Sequence, residues 1–153
     1  MDSFMKYIAR INRCSNCYRD QALEDVGLTG CQCPYLLRIC HNPGISQDQL
    51  AKTLYVSKSN VTRQLERMEK AELITRAPSP SDRRVMQVFP TELGKSLLPR
   101  IGEMFSDWNS ILTSDFTEEE KGQLISMLER LYANAEKAVT PPDEPKNRKE
   151  GKA

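Results

Sequence analysis

The sequence predicts a mainly α fold carrying one small β-hairpin, and three observations predict it. Apolar residues recur at three- and four-residue steps through most of the chain, the period of an amphipathic helix. Between residues 46 and 94 two short helical patterns flank a tight turn. Two short strand-like runs follow, separated by Pro78-Ser79-Pro80-Ser81. That order is the layout of a winged helix-turn-helix.

The elements follow from the N-terminus. Phe4, Tyr7, Ile8, Ile11, Cys14, Tyr18 and Ala22 form one stripe, which predicts a helix over 3–24 ended by Gly27. Thr29 is placed to cap a second helix over 30–41, with Pro34 in its first turns, where fewer backbone donors are engaged. Asn42-Pro43-Gly44 is a turn. Ser46 with Gln49 is a capping box that opens a third helix with Leu50, Ala51 and Leu54 inward. Tyr55 and Val56 make the turn, and Ser57 caps a fourth helix over 57–71. Strands are expected over 73–77 and 85–89, with the proline-rich segment between them outside the ladder. Thr91 starts a long helix to about residue 112, where Pro99 is expected to produce a kink. Thr117 with Glu120 is a second capping box, opening a helix to about residue 138. The last stretch, 139–153, is proline-rich and charged and reads as a disordered tail.

Charge locates a surface. Net charge is only +1, yet from Lys58 to Arg84 seven Lys/Arg oppose four acids. From Glu103 to Glu120 there are six acids and no base. A local basic patch on an otherwise acidic chain suits phosphate binding without a global positive charge. On a wheel of about 100° per residue, Val61, Leu65 and Met68 face inward. Ser59 and Arg63 face outward, flanked by Asn60 and Thr62. Short hydroxyl and amide groups let a helix approach base edges, and Arg63 has the reach for guanine O6 and N7. Ser57 and Lys58 sit where helix-end amides and positive charge meet phosphate. Arg83 and Arg84 suit a minor groove, with Asp82 positioned to orient the Arg84 guanidinium.

These residues carry a resemblance. The chain resembles the MarR family of bacterial transcriptional regulators through Leu28-Thr29, Gln47 to Ala51, Val56 to Arg63, Leu65 to Glu69, Leu73-Ile74, Asp82-Arg83-Arg84 and Thr91 to Gly94. It extends to about residue 138. It implies a homodimer built from N- and C-terminal helices, a palindromic double-stranded DNA operator, and repression relieved by a small molecule or an oxidant. It also implies that Ser57, Lys58, Ser59, Asn60, Thr62 and Arg63 read DNA from the helix and Asp82, Arg83 and Arg84 from the wing. The expected organisation is one MarR-like domain over 1–138. Residues 29–91 form the winged helix-turn-helix, and 1–28 and 92–138 form the dimerisation helices. The terminal helices also carry more apolar face than one wing domain needs, which points to a homodimer without the resemblance. Tyr55 stands where the family often has glycine and is strained if that turn needs positive φ. Pro90 replaces a more usual leucine at the wing's end.

The five cysteines are 14, 17, 31, 33 and 40. No run is apolar enough to span a membrane and no signal peptide is legible, so the expected location is the cytoplasm, with thiols largely reduced. Three readings compete. In the first, a thiol senses oxidant: the resemblance implies a first-helix cysteine, Cys14 or Cys17, while Cys31 and Cys33 are further candidates because the dipole of the second helix is expected to lower their pKa values. The same four bind a metal ion or an iron–sulfur cluster, although a helical CxxC and a CxC are not a zinc-ribbon pattern. Or they only fill space, and an organic effector acts elsewhere. An oxidoreductase is disfavoured because its CxxC belongs at a strand-to-helix junction. No catalytic residues are expected. A winged helix that binds only protein is the reading from a different class, and Arg63, Arg83 and Arg84 favour DNA over it.

Overall fold

The computed structural model describes residues 3–139. Seven helices and a three-stranded antiparallel sheet are formed among these residues. The expected tail, apart from Val139, lies outside them.

α1 runs Phe4–Ala22, shorter than expected. The chain turns at fully buried Leu23 into a single 3₁₀ turn, Glu24–Val26, so Gly27 (φ 68°) ends that turn and not α1. α2 spans Cys33–His41 and begins later than expected, because Pro34 belongs in a first turn. Gln32 stands at the cap position, so Thr29 does not cap α2. Its backbone N–H donates instead to Gln32 Oε1 at 3.0 Å.

A two-residue strand, β1 (Ile45–Ser46), leads into α3 (Gln47–Leu54), and α4 follows as Lys58–Lys70. The capping box at α3 is complete: Gln49 N–H donates to Ser46 Oγ at 3.1 Å, and Ser46 N–H donates to Gln49 Oε1 at 2.9 Å. β2 (Ile74–Pro78) and β3 (Met86–Pro90) form the hairpin, one residue later than expected. Strand order is β1-β3-β2, with Ile45 opposite Val88 and Arg76 opposite Val88 on the other side. Pro78 does join the ladder, opposite Met86, contrary to expectation. It is tolerated because β2 is an edge strand and Pro78 is its last residue.

The long helix expected after Thr91 is two: α5 (Glu92–Ser96) and α6 (Leu98–Leu112). Pro99 lies in the first turn of α6, so it breaks the helix at Leu97 where a kink was expected. α7 spans Glu118–Ala138, opened by the Thr117–Glu120 capping box.

The core draws on α2, α3, α4, the sheet and α6. Leu36, Ile39, Leu50, Val61, Leu65, Met68, Leu73, Val88 and Ile101 are all fully buried. The terminal helices behave differently. Phe4, Tyr7, Ile8, Ile11 and Cys14 stay exposed, and α1 packs through Ser15, Tyr18, Arg19 and Ala22. The Tyr18 ring stacks on Trp108 of α6, and the Arg19 guanidinium lies 5.5 Å from the centre of the Phe105 ring. α7 has no buried residue, although Ile125, Leu128 and Leu131 recur along it at helical spacing.

Candidate nucleic-acid interface

The turn between α3 and α4 is made by a residue in the left-handed region. Tyr55 has φ 53° and ψ 41°, and Val56 N–H donates back to Ala51 O at 3.0 Å. Tyrosine carries there a conformation that glycine adopts without steric cost.

Ser57 caps α4, accepting from Asn60 N–H at 3.3 Å, and its hydroxyl lies 3.1 Å from that of Ser59. Lys58 pairs with Asp48 of α3 at 3.0 Å. Ser57, Lys58, Ser59 and Arg63 are exposed, and together they form the solvent face at the N-terminal half of α4. Val61, Leu65 and Met68 on the opposite side are fully buried, as the wheel requires. Two of the expected readers are less open. Thr62 is half-buried and donates its hydroxyl to Lys58 O at 3.0 Å. Asn60 is half-buried and accepts from the Tyr35 hydroxyl at 2.9 Å.

The hairpin tip brings the other predicted residues together. Asp82 accepts from Arg84 three times: from its backbone N–H at 3.0 Å, from Nε at 3.1 Å and from Nη2 at 3.2 Å. These bonds hold the Asp82 carboxyl below the usual carboxylate range. The Arg84 side chain is nonetheless 90% exposed, so the fork fixes a guanidinium that still faces solvent. Arg83 beside it is exposed. Val85 N–H to Asp82 O (2.9 Å) and Ser79 N–H to Val85 O (2.7 Å) close the loop that carries them. The wing is moored to α4 by Arg76 of β2, which pairs with Glu69.

Several residues that shape this surface escaped the sequence reading. Gln64 is buried on α4 and accepts from Gln32 Nε2 at 3.4 Å. Its signal was available: a polar residue among Val61, Leu65 and Met68 on the inward face needs a partner. Tyr35 and the Glu69–Arg76 pair gave no such signal.

The cysteines do not assemble. Cys14, Cys17 and Cys31 are exposed, Cys40 is half-buried and Cys33 is buried. Among the described residues no group of three or more His, Cys, Asp or Glu side chains is arranged to hold a metal. The four-sulfur metal or iron–sulfur site expected as one reading is therefore not formed by this chain's geometry. The expectation of a lowered Cys33 pKa is also overturned. Burial pushes that thiol up to about 11, outweighing any pull from the helix start. Cys31, 3.2 Å from the Thr29 hydroxyl, remains open to solvent.

A helix-turn-helix with an exposed polar reading face, followed by a hairpin bearing a forked arginine, defines a winged-helix protein of the DNA-binding class. Comparison with known proteins agrees. The MarR family profile matches residues 28–86. The uncharacterized HTH-type transcriptional regulator YybA of Bacillus subtilis is 30% identical over 137 residues, covering 90% of this chain and 91% of its own. A MarR transcriptional regulator from Methanosarcina mazei Go1 superposes with a TM-score of 0.85 at 29% identity, over 89% of this chain and 98% of that one. A MarR-family regulator from Listeria monocytogenes, solved in complex with a 26mer DNA, gives a TM-score of 0.79 at 28% identity, over 88% and 89%. The chain belongs to the MarR family of transcriptional regulators. Among the described residues no helix is long and apolar enough to cross a membrane.

Proposed function

We propose that this protein is a homodimeric repressor that binds a palindromic double-stranded DNA operator in the cytoplasm. The solvent face of α4 would enter the major groove and the Asp82–Arg84 fork the neighbouring minor groove. The observation that carries this reading is the fork itself. A guanidinium held by two hydrogen bonds, on a residue whose backbone N–H bonds the same carboxylate, yet with its side chain 90% exposed, is preorganised for a partner outside the chain. In this reading Ser57, Lys58, Ser59, Asn60, Thr62 and Arg63 contact the major groove or its phosphates, and Lys58 exchanges Asp48 for a phosphate oxygen.

Two exposed apolar stripes support the dimer. Phe4, Tyr7, Ile8 and Ile11 on α1 and Ile125, Leu128 and Leu131 on α7 are each 39–56% exposed. A chain with that much apolar face open is suited to interlocking its terminal helices, 1–28 and 92–138, with a second copy. Sedimentation at micromolar concentration tests it, and a monomer would contradict it.

For the releasing signal we propose thiol oxidation, with Cys31 the best placed of the cysteines. It is exposed and immediately precedes Gln32, which is bonded to Gln64 of α4. A hydroperoxide would convert its thiolate to a sulfenic acid and leave as water or an alcohol. Retained DNA binding after peroxide treatment would remove this part and leave an organic effector.

A further inference from the structure

α2 and the Gln32 residue at its cap position hold α4 through two side-chain hydrogen bonds one helical turn apart. Tyr35, only 4% exposed, donates its hydroxyl to Asn60 Oδ1 at 2.9 Å. Gln32, 3% exposed, donates from Nε2 to Gln64 Oε1 at 3.4 Å and is itself held by Thr29 N–H. Asn60 and Gln64 are four residues apart, on one side of α4. Two bonds at that spacing fix the rotation of α4 about its axis. The apolar contacts of Val61 and Leu65 would tolerate a small rotation; paired polar groups tolerate it less.

The bond to Tyr35 also changes what Asn60 can offer. A free asparagine reads adenine bidentately, accepting from N6 and donating to N7. Here Oδ1 is turned inward to the phenol, and the trigonal amide directs Nδ2 away from it. Burial raises the Tyr35 hydroxyl pKa, so the phenol stays protonated and able to donate at ordinary pH.

Resting on the reading of α4 as the groove-entering helix, we propose that Tyr35 is a positioning residue that sets the specificity of Asn60. It turns Asn60 Oδ1 inward and leaves the Nδ2 donor as the group presented outward, matched to guanine O6 or N7, thymine O4 or a phosphate oxygen, and poorly matched to the bidentate adenine pattern. Tyr35 itself touches no DNA.

The test selects duplexes from a randomised pool with the full-length wild-type protein. Affinities of variants are then measured on the selected duplex and on its single-base substitutions. Y35F keeps the buried ring and removes only the hydroxyl. Y35F and N60A are each expected to weaken the selected duplex about tenfold; N60A should relax preference at one base position, and Y35F should shift preference at that same position. In the double variant the loss should be no larger than in N60A alone, the mark of two residues acting as one unit. Y35F should also recover a different preferred base when the pool selection is repeated, which loosened packing would not cause. N60D keeps an acceptor for Tyr35 but turns a carboxylate toward DNA, and should bind more weakly than N60A. Additive losses in the double variant, or an unchanged base preference in Y35F, would overturn the proposal. R63A and R84A, measured alongside, separate the two levels. If both bind like wild type, the groove reading falls and takes this inference with it. If both lose binding while Y35F does not, this inference alone falls.

Discussion

Arg76 donates from both Nε (3.0 Å) and Nη2 (2.6 Å) to a single oxygen of Glu69, tying the first long strand of the wing to α4. The two residues belong to different elements, β2 and α4, so the pair controls how the wing stands relative to the helix that it flanks.

That pair predicts a pH dependence. The Arg76 hydrogen bonds hold the Glu69 carboxyl below the ordinary glutamate range. A folded pKa below the unfolded one gives stability that is fully present above the unfolded value, about 4.3. It is lost as pH falls through the lowered folded value. The Glu69 side chain is 39% exposed, so solvent screens the pair and its worth is about 1 kcal/mol at most. Thermal melts between pH 7 and about pH 3 should therefore fall less steeply for E69Q than for wild type. Parallel curves would contradict this.

Gly94 is expected to be intolerant. It is buried in α5, and a Cβ there would run into the Leu73 carbonyl oxygen and crowd the Leu36 side chain. That carbonyl already accepts the Thr91 N–H at 3.1 Å, so it cannot move without loosening the start of α5. G94A should cost roughly 3 kcal/mol, a fall of roughly 10 °C in Tm. A melt within a degree or two of wild type would show that the wing-to-α5 junction is softer than its geometry implies.

Tyr55 predicts the opposite sign. A non-glycine side chain at φ 53° costs about 1 kcal/mol in the left-handed region. Glycine's greater freedom in the unfolded chain returns part of that. The Tyr55 hydroxyl reaches Glu136 only at 3.5 Å on an exposed surface and contributes little. Y55G should raise stability by about 0.5 kcal/mol, read as a higher urea midpoint with unchanged slope. A lower midpoint would mean that the tyrosine ring packs more productively than its exposure suggests.

How much of this was legible follows from how local each interaction is. Both capping boxes and the Asp82–Arg84 fork join residues two or three apart, and the sequence displays them directly. The inward face of α4 follows from helical period alone. β1 was invisible because two residues make a strand only by pairing with Val88 and Gln87, far along the chain. The Tyr35–Asn60 and Gln32–Gln64 bonds, 25 and 32 residues apart, were equally out of reach. Cys33 shows a different limit. Position at a helix start was readable, but burial was not, and burial decides its pKa.

The thiols should therefore react in a set order. Cys31 is exposed, whereas Cys33 is buried with its pKa raised to about 11. Since the thiolate is the reactive form, native protein treated with iodoacetamide at neutral pH should be modified at Cys31 and spared at Cys33 until it unfolds. Peptide mass spectrometry reads this out. Equal labelling of both in native protein would refute the burial of Cys33.

The most direct test of the central claim is fluorescence anisotropy on a pool-selected duplex with wild type, R63A and R84A at fixed salt. R84A should weaken binding to every duplex nearly uniformly and flatten the salt dependence. R63A should cost about 1–3 kcal/mol on the selected duplex and relax base preference. Wild-type affinity and specificity in both variants would contradict the claim that α4 and the wing hold the DNA.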